Sequence, residues 1–235
     1  MLEAEIVIPC FNEVESLLNL FSECQNLIDA SNNSLGFILV NNGSTDASKE
    51  VFANFIGKNP RIRIVELSQN QGYGAGILAG LSVTTAPIIG WTHADLQTPL
   101  LDCLIGIREI QKGNDFVKGS RQGRKFSDRI FSHGMAIFET ILFRQKLEEI
   151  NAQPTVFGRQ ILQQWSNPPL DFSLDLYALV MANRSMGQIK RITVNFLPRQ
   201  HGESKWNESF KSRLKFIKRT IKYSFELRRM LNENI

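Results

Sequence analysis

A chain of 235 residues that is 43% hydrophobic can bury a substantial core, which excludes both a disordered segment and a disulfide-stapled miniature fold. The formal charge of +4 is modest, but the basic residues gather after position 120 and in the last quarter, which implies anionic ligands or surfaces. Cys10, Cys24 and Cys103 are odd in number and lack zinc or redox spacing, so buried free thiols in a reducing compartment are expected. The amino terminus enters a strand without a basic leader, and no apolar run reaches about 18 residues, so a cytosolic chain with no spanning segment is expected.

The first half alternates strand and helix. Ala4 to Pro9 is a short apolar strand, and Asn12 stands where it can cap a helix whose Leu17, Leu20, Phe21, Cys24, Leu27 and Ile28 recur at helical spacing. Phe37 to Val40 is a second strand, ending in the turn Asn41-Asn42-Gly43-Ser44-Thr45-Asp46 and a short helix. Ile62 to Leu67 is a third. Gly72, Gly74, Gly76 and Gly80 then punctuate a helix whose first turn is small enough to approach a ligand closely. Pro87 to Thr92 is a buried fourth strand that delivers His93-Ala94-Asp95-Leu96-Gln97 to its carboxyl end, where open α/β sheets bind ligands. Pro99 to Lys112 is a helix and Phe116 to Gly119 a fifth strand. This alternation predicts an α/β fold with a mostly parallel, doubly wound sheet flanked by helices.

The second half is more basic. Arg121, Arg124 and Lys125 follow a strand end, and a helix from about Ser127 to Lys146 carries Asp128 and Arg129 near its start. Asp171 and Asp175 open an apolar helix, either as acceptor-side chemistry or simply as carboxylates that satisfy a helix dipole. Ile189 to Phe196 reads as a half-buried strand leading into Arg199-Gln200-His201-Gly202-Glu203-Ser204-Lys205, a loop able to close as a lid. Past Asn207, Phe210, Leu214, Ile217, Ile221 and Phe225 form an apolar stripe, opposite a face carrying Lys211, Lys218, Lys222 and Arg229. Residues 207–235 are therefore expected as a basic amphipathic helical tail on a body of 1–206, with 208–230 meeting an anionic membrane surface. Docking of this helix on the core, or on a second copy in a homodimer, is the alternative.

Four motifs stand in a specific order: Ile8-Pro9-Cys10-Phe11-Asn12-Glu13, Asn42-Gly43-Ser44-Thr45-Asp46, Asn70-x-Gly72-x-Gly74 and Ala94-Asp95-Leu96-Gln97. In that order and spacing the chain resembles the family 2 glycosyltransferases with the GT-A fold, a Rossmann-like architecture, and more narrowly their polyprenyl-phosphate (dolichol-phosphate mannosyltransferase-like) branch. Arg121, Asn151-Ala152-Gln153-Pro154 and Arg199-x-x-Gly202-x-Ser204-Lys205 extend the resemblance. It implies an inverting transfer from a nucleotide-sugar donor to a polyprenyl-phosphate or glycan acceptor, with Mg²⁺ or Mn²⁺, at the inner face of a membrane. Residues 1–120 would form the nucleotide-sugar half, and 121–206 the acceptor half and lid.

By the same resemblance, Pro9, Phe11, Glu13 and Asn42 would bind base and ribose, and His93, Ala94, Asp95 and Gln97 would face the diphosphate. Arg121, Arg199 and Lys205 would hold phosphate oxygens. Metal ligands would come from Asp95, Gln97 and His93, catalytic groups from Asp95, Asp175 and Arg121, and acceptor contacts from Arg124, Arg129, Asn151 and Gln153. Two positions depart from the family pattern: His93 and Asn42 replace carboxylates. His93 either binds a cation through a ring nitrogen, donates to ribose or phosphate, or is merely tolerated. Asn42 both donates and accepts, so the base preference is expected to be either relaxed or shifted toward cytosine, whose edge suits an amide. The missing carboxylates leave a catalytically idle nucleotide-binding relative as the rival reading. Ile77 stands where a dinucleotide fingerprint needs its third glycine, and the chain has no Walker A lysine, HExxH or Gly-x-Ser-x-Gly. Without interleaved stacking aromatics, nucleic acid is not an expected partner.

Overall fold

The computed structural model describes residues 2–123, 126–185, 187–197 and 210–233, with backbone alone over 126–131 and 210–216. Among the described residues the strands are β1 (Ala4–Cys10), β2 (Leu35–Asn42), β3 (Ile62–Leu67), β4 (Ile88–Trp91), β5 (Phe116–Gln122), β6 (Thr155–Gly158) and β7 (Ile189–Asn195). They form one seven-stranded sheet in the order β3-β2-β1-β4-β6-β5-β7. β1 pairs in parallel with β2 and β4, β2 with β3, and β5 with β7. β6 runs antiparallel to both β4 and β5.

Helices α1 (Val14–Ala30), α2 (Ser48–Phe55), α3 (Tyr73–Ser82), α4 (Leu101–Gln111), α5 (Phe126–Phe143), α6 (Leu174–Arg184) and α7 (Phe210–Glu233) cover the sheet. Because successive strand residues face opposite sides, each strand feeds two cores. Ile6, Ile8, Phe37, Leu39, Val117 and Val156 pack with Leu17, Leu20 and Cys103 of α1 and α4 on one face. Val7, Ile38, Val40, Trp91, Phe116 and Phe157 pack with residues of α3 and α6 on the other. All three cysteines are free and buried, as expected.

Three expectations change. Asn12 does not cap α1: the N–H of Val14, the first residue of that helix, is accepted by Asp46 Oδ2 at 3.3 Å from the β2–α2 loop. β6 was not anticipated; it is four residues long and fully buried, so it shows no alternating pattern. Finally, α7 joins the body. Leu227 is buried in the second core with Tyr223, Met230 and Leu231 packed against it, and Ser224 Oγ donates to Glu139 Oε1 of α5 at 2.6 Å. The predicted stripe is offset from this docked face, so Phe225 touches Phe138 yet stays 55% exposed.

Candidate active site at the carboxyl edge of the sheet

The loops after β1 and β2 are stitched to one another. Asn12, in the left-handed region at φ 55, donates its backbone N–H to Ser44 Oγ at 3.1 Å, and its Oδ1 accepts the Thr45 N–H at 2.8 Å. The Glu13 N–H donates to Ser48 Oγ at 3.2 Å, and Glu13 Oε2 accepts from Ser16 Oγ at 2.9 Å. Gly43 has φ +65, and a Cβ there would lie 2.2 Å from the Gln69 carbonyl carbon, so the turn after β2 requires glycine. Pro9 and Phe11 stay half-buried at the edge.

Asn42 ends β2 in a buried position. It is 3% exposed, its Nδ2 donates to Gly72 O at 2.8 Å, and its Oδ1 accepts the Gln71 N–H at 3.2 Å. One donor and one acceptor position of the amide fasten the strand end to the loop before α3. An aspartate could not make the first of these bonds, since an ionised carboxylate only accepts.

The glycine-rich turn also serves the fold. A Cβ at Gly72 would lie 2.5 Å from Leu170 O, and one at Gly74 would lie 2.5 Å from Pro169 O. The Ala75 N–H donates to Leu170 O at 2.9 Å, so an open donor of the first helical turn is satisfied by the chain's own backbone rather than held out for a ligand. The close approach predicted from the glycines is therefore made by the 169–171 segment.

At the end of β4 the chain bends through Leu96, at φ 53, and the Gln97 N–H folds back to Asp95 Oδ1 at 3.2 Å. Gln97 Nε2 donates to Leu197 O at 3.1 Å and Gln97 O accepts the Leu197 N–H at 2.8 Å, which ties the end of β7 to the site. Ala94 is buried beneath, while His93 and Asp95 are half-buried. The His93 ring lies 5.6 Å from that of Tyr73. Burial holds its pKa below the ordinary histidine value, helped by Arg121 and Lys118 and opposed by Asp95 and Asp175. The imidazole is thus neutral at pH 7 and has a lone pair to offer.

Behind this edge lies a buried polar network that the sequence reading missed. Lys118 of β5 is fully buried, with Nζ 2.5 Å from Asp175 Oδ1 and 2.7 Å from Thr155 Oγ1 of β6. Gln153 Nε2 donates to the same Asp175 oxygen at 2.9 Å and to the Tyr73 hydroxyl at 3.2 Å. Thr155 Oγ1 donates to Gln153 Oε1 at 3.1 Å. Burial lowers the lysine to about 8, against the pull of the Asp175 carboxylate. Asp175, expected as an acceptor-activating carboxylate, is 2% exposed and is the partner of this lysine. Gln153, expected at the acceptor, is equally internal at 1%. A lysine placed between apolar neighbours in a short strand was the available signal, because a buried lysine requires a partner.

Arg121 extends beyond the network. Its Nε donates to Glu149 Oε2 at 2.7 Å, and its guanidinium lies 5.8 Å from the centre of the Phe196 ring. Asn151, just past Glu149 in sequence, is exposed. Arg124, Arg199 and Lys205 lie outside the described residues, as does the Arg129 side chain.

Among the described residues no group of three His, Cys, Asp or Glu side chains could hold a metal by itself. His93 and Asp95 supply a sparse donor set. That set fits a cation whose remaining positions are filled by phosphate and water, as Mg²⁺ and Mn²⁺ commonly accept.

The parallel β1–β4 half, the carboxyl-edge loops and the His93–Gln97 turn define a GT-A glycosyltransferase fold. The model of the family "Glycosyl transferase family 2" matches residues 5–164, and the chain belongs to that family. It is 25% identical over 211 residues to undecaprenyl-phosphate 4-deoxy-4-formamido-L-arabinose transferase of Salmonella choleraesuis (strain SC-B67), covering 87% of this chain and 63% of that protein. It is 27% identical over 141 residues to the uncharacterized glycosyltransferase YkcC of Bacillus subtilis (strain 168), covering 60% and 44%. The chain thus spans less than two thirds of the length of these relatives. Among solved structures, glucosyl-3-phosphoglycerate synthase from Mycobacterium tuberculosis with Mn²⁺, UDP and glucosyl-3-phosphoglycerate superposes with a TM-score of 0.69 at 18% identity, over 96% of this chain and 79% of that one. Its complex with Mn²⁺, UDP-glucose and phosphoglyceric acid gives 0.70 at 17%, with the same coverage. These likenesses show the fold.

Proposed function

We propose that the chain is an inverting glycosyltransferase that moves a sugar from a nucleotide-sugar donor to a polyprenyl phosphate at a membrane surface. The observation that carries the choice of acceptor is the burial of Asp175 against Lys118. A sugar hydroxyl must lose a proton as it attacks, whereas a polyprenyl phosphate is already an anion and needs no base. Similarity to the undecaprenyl-phosphate transferase of Salmonella supports the same acceptor class.

In this reading Pro9, Phe11 and Glu13 flank the nucleoside, and Asp95 with His93 would hold a divalent cation. The Gln97 amide, turned to Leu197, ties the chain just past β7 to the site. Such a cation would supply positive charge where a leaving diphosphate develops its negative charge. Arg121 adds a guanidinium for the phosphate oxygens, and its Glu149 partner fixes its direction. Acceptor phosphate oxygen bonds to the sugar's anomeric carbon from the face opposite the donor, while the carbon–oxygen bond to the nucleoside diphosphate breaks and that oxygen keeps the electron pair. Arg199 and Lys205 complete the phosphate contacts, and Arg124, Arg129 and Asn151 serve the acceptor.

No helix among the described residues is long and apolar enough to cross a membrane. Exposed Lys218, Lys222 and Arg229 on α7, together with exposed Phe225, Ile137 and Ile141, support peripheral docking at an anionic inner leaflet. Charge reversal at Lys218 and Lys222 is expected to abolish flotation with anionic liposomes. Unchanged flotation would remove the membrane from the reading.

The activity test is a transfer assay with the full chain, Mn²⁺ or Mg²⁺, a panel of UDP-, GDP- and CDP-sugars, and either farnesyl phosphate or glycan hydroxyl acceptors. Transfer to the lipid phosphate that survives Asp175→Asn is the expected result. Transfer confined to hydroxyl acceptors and lost in Asp175→Asn would contradict it.

A further inference from the structure

The loop before α6 carries two large apolar side chains held out of the core: Leu170 is 57% exposed and Phe172 45%. A single exposed leucine is ordinary, but this pair is held beside the site by contacts on both sides. The Leu170 carbonyl accepts the Ala75 N–H at 2.9 Å, and Gly72 and Gly74 are glycines because this backbone presses on them. The Phe172 ring stacks on Tyr73 with centroids 4.5 Å apart and planes 10° from parallel. Tyr73 in turn faces His93 and is bonded through Gln153 to the Asp175–Lys118 pair.

The loop is tied outward as well. Asp171, between the two apolar residues, pairs with Arg219 of α7 at 3.1 Å, and its other oxygen accepts the Ser173 N–H at 2.9 Å. Leu170 and Phe172 therefore form a braced apolar step between a basic helix on one side and the His93–Asp95 turn on the other. We infer that this step is the subsite for the first isoprene units of the acceptor, with the lipid phosphate directed to the His93, Asp95 and Arg121 side. The inference rests on the polyprenyl-phosphate reading. A charged head at the site and an apolar tail leaving toward a cationic helix match an amphipathic anion whose chain comes from a bilayer. The aromatic stack is a flat apolar wall against which an isoprene unit can lie.

The test is calorimetric titration of the full chain, saturated with Mn²⁺ and its preferred nucleoside diphosphate, with inorganic phosphate, geranyl phosphate and farnesyl phosphate. Wild type is expected to bind geranyl phosphate, which carries the first two isoprene units, about tenfold more tightly than inorganic phosphate, with farnesyl phosphate at least as tight, since each buried methylene adds to the transfer free energy. Leu170→Ala/Phe172→Ala is expected to reduce that gain to roughly threefold or less, with inorganic phosphate binding unchanged. Phe172→Leu keeps an apolar wall and is expected to preserve most of the gain, which separates lost contact from lost folding. If the gain persists undiminished in the double variant, the chain lies elsewhere and this inference is overturned, while the proposed function stands. If wild type shows no gain over inorganic phosphate, the polyprenyl reading fails and takes the subsite with it.

Discussion

In the half of the sheet built from β3, β2, β1 and β4, every pairing is parallel and most strands lead directly into a helix. In the half built from β6, β5 and β7, a four-residue antiparallel strand is slipped between two others, and the polar groups that matter come from distant parts of the chain. Lys118 meets Thr155 and Asp175, which are 37 and 57 positions away. The first half buries a carboxylate too, Glu5 of β1, but its Arg63 partner is 41% exposed and the Thr85 and Ala86 N–H groups complete its hydrogen bonds. The second concentrates its polar energy in a buried ion pair, where loss of one partner strands a charge.

The comparison predicts where the molecule breaks. Lys118→Met leaves the Asp175 carboxylate buried without its cation and is expected to cost about 3–5 kcal/mol in urea unfolding, with Lys118→Met/Asp175→Leu recovering most of it. A cost below about 1 kcal/mol would mean that the network does not anchor this half.

Glu139 sharpens the same contrast at the α5–α7 contact. Its side chain is fully buried and its Oε2 lacks a hydrogen-bond partner among the described residues. Burial raises it to about 7 from an ordinary 4.5, while the Ser224 hydroxyl pulls the other way. Below pH 4.5 the group is protonated in both folded and unfolded chains and contributes nothing to the pH dependence. As pH rises toward 7 the unfolded chain releases the proton first, so stability falls through that window and levels off above it. Glu139→Gln is expected to flatten this slope and to gain roughly 2 kcal/mol over wild type at pH 8. Urea midpoints at pH 5 and pH 8 measure it, and an unchanged slope would place the charge elsewhere.

Asn42 sets the scale for the first half. Asn42→Asp turns a donor toward the Gly72 carbonyl into an acceptor, and is expected to cost about 1–2 kcal/mol without altering the preferred base. A change of base preference with no loss of stability would assign Asn42 to the nucleotide site.

The legible part of the fold was the part whose signals are local. Ile62 to Leu67 matches β3 from end to end, and the glycine run at 72–80 marks α3, because periodicity and punctuation lie within each element. The order of the motifs likewise located the carboxyl edge at His93–Gln97. What sequence did not give is partnership. The glycines implied a close neighbour, but not that it is Leu170 of the same chain. Asn42 and Asp46 occupy motif positions, yet one fastens a loop and the other caps α1. Asp175 was visible and Lys118 was not weighed, because a charge in a strand declares its need for a partner without naming it.

We propose that the His93–Asp95 turn, despite its replaced carboxylate, binds a nucleoside diphosphate through a divalent cation. Calorimetric titration of UDP, GDP and CDP, with and without Mn²⁺ or Mg²⁺, on wild type and on Asp95→Ala tests it directly. Binding of one nucleotide that depends on the cation and weakens about a hundredfold in Asp95→Ala is the expected result. Absence of binding by all three, or binding indifferent to both cation and Asp95, would contradict the account.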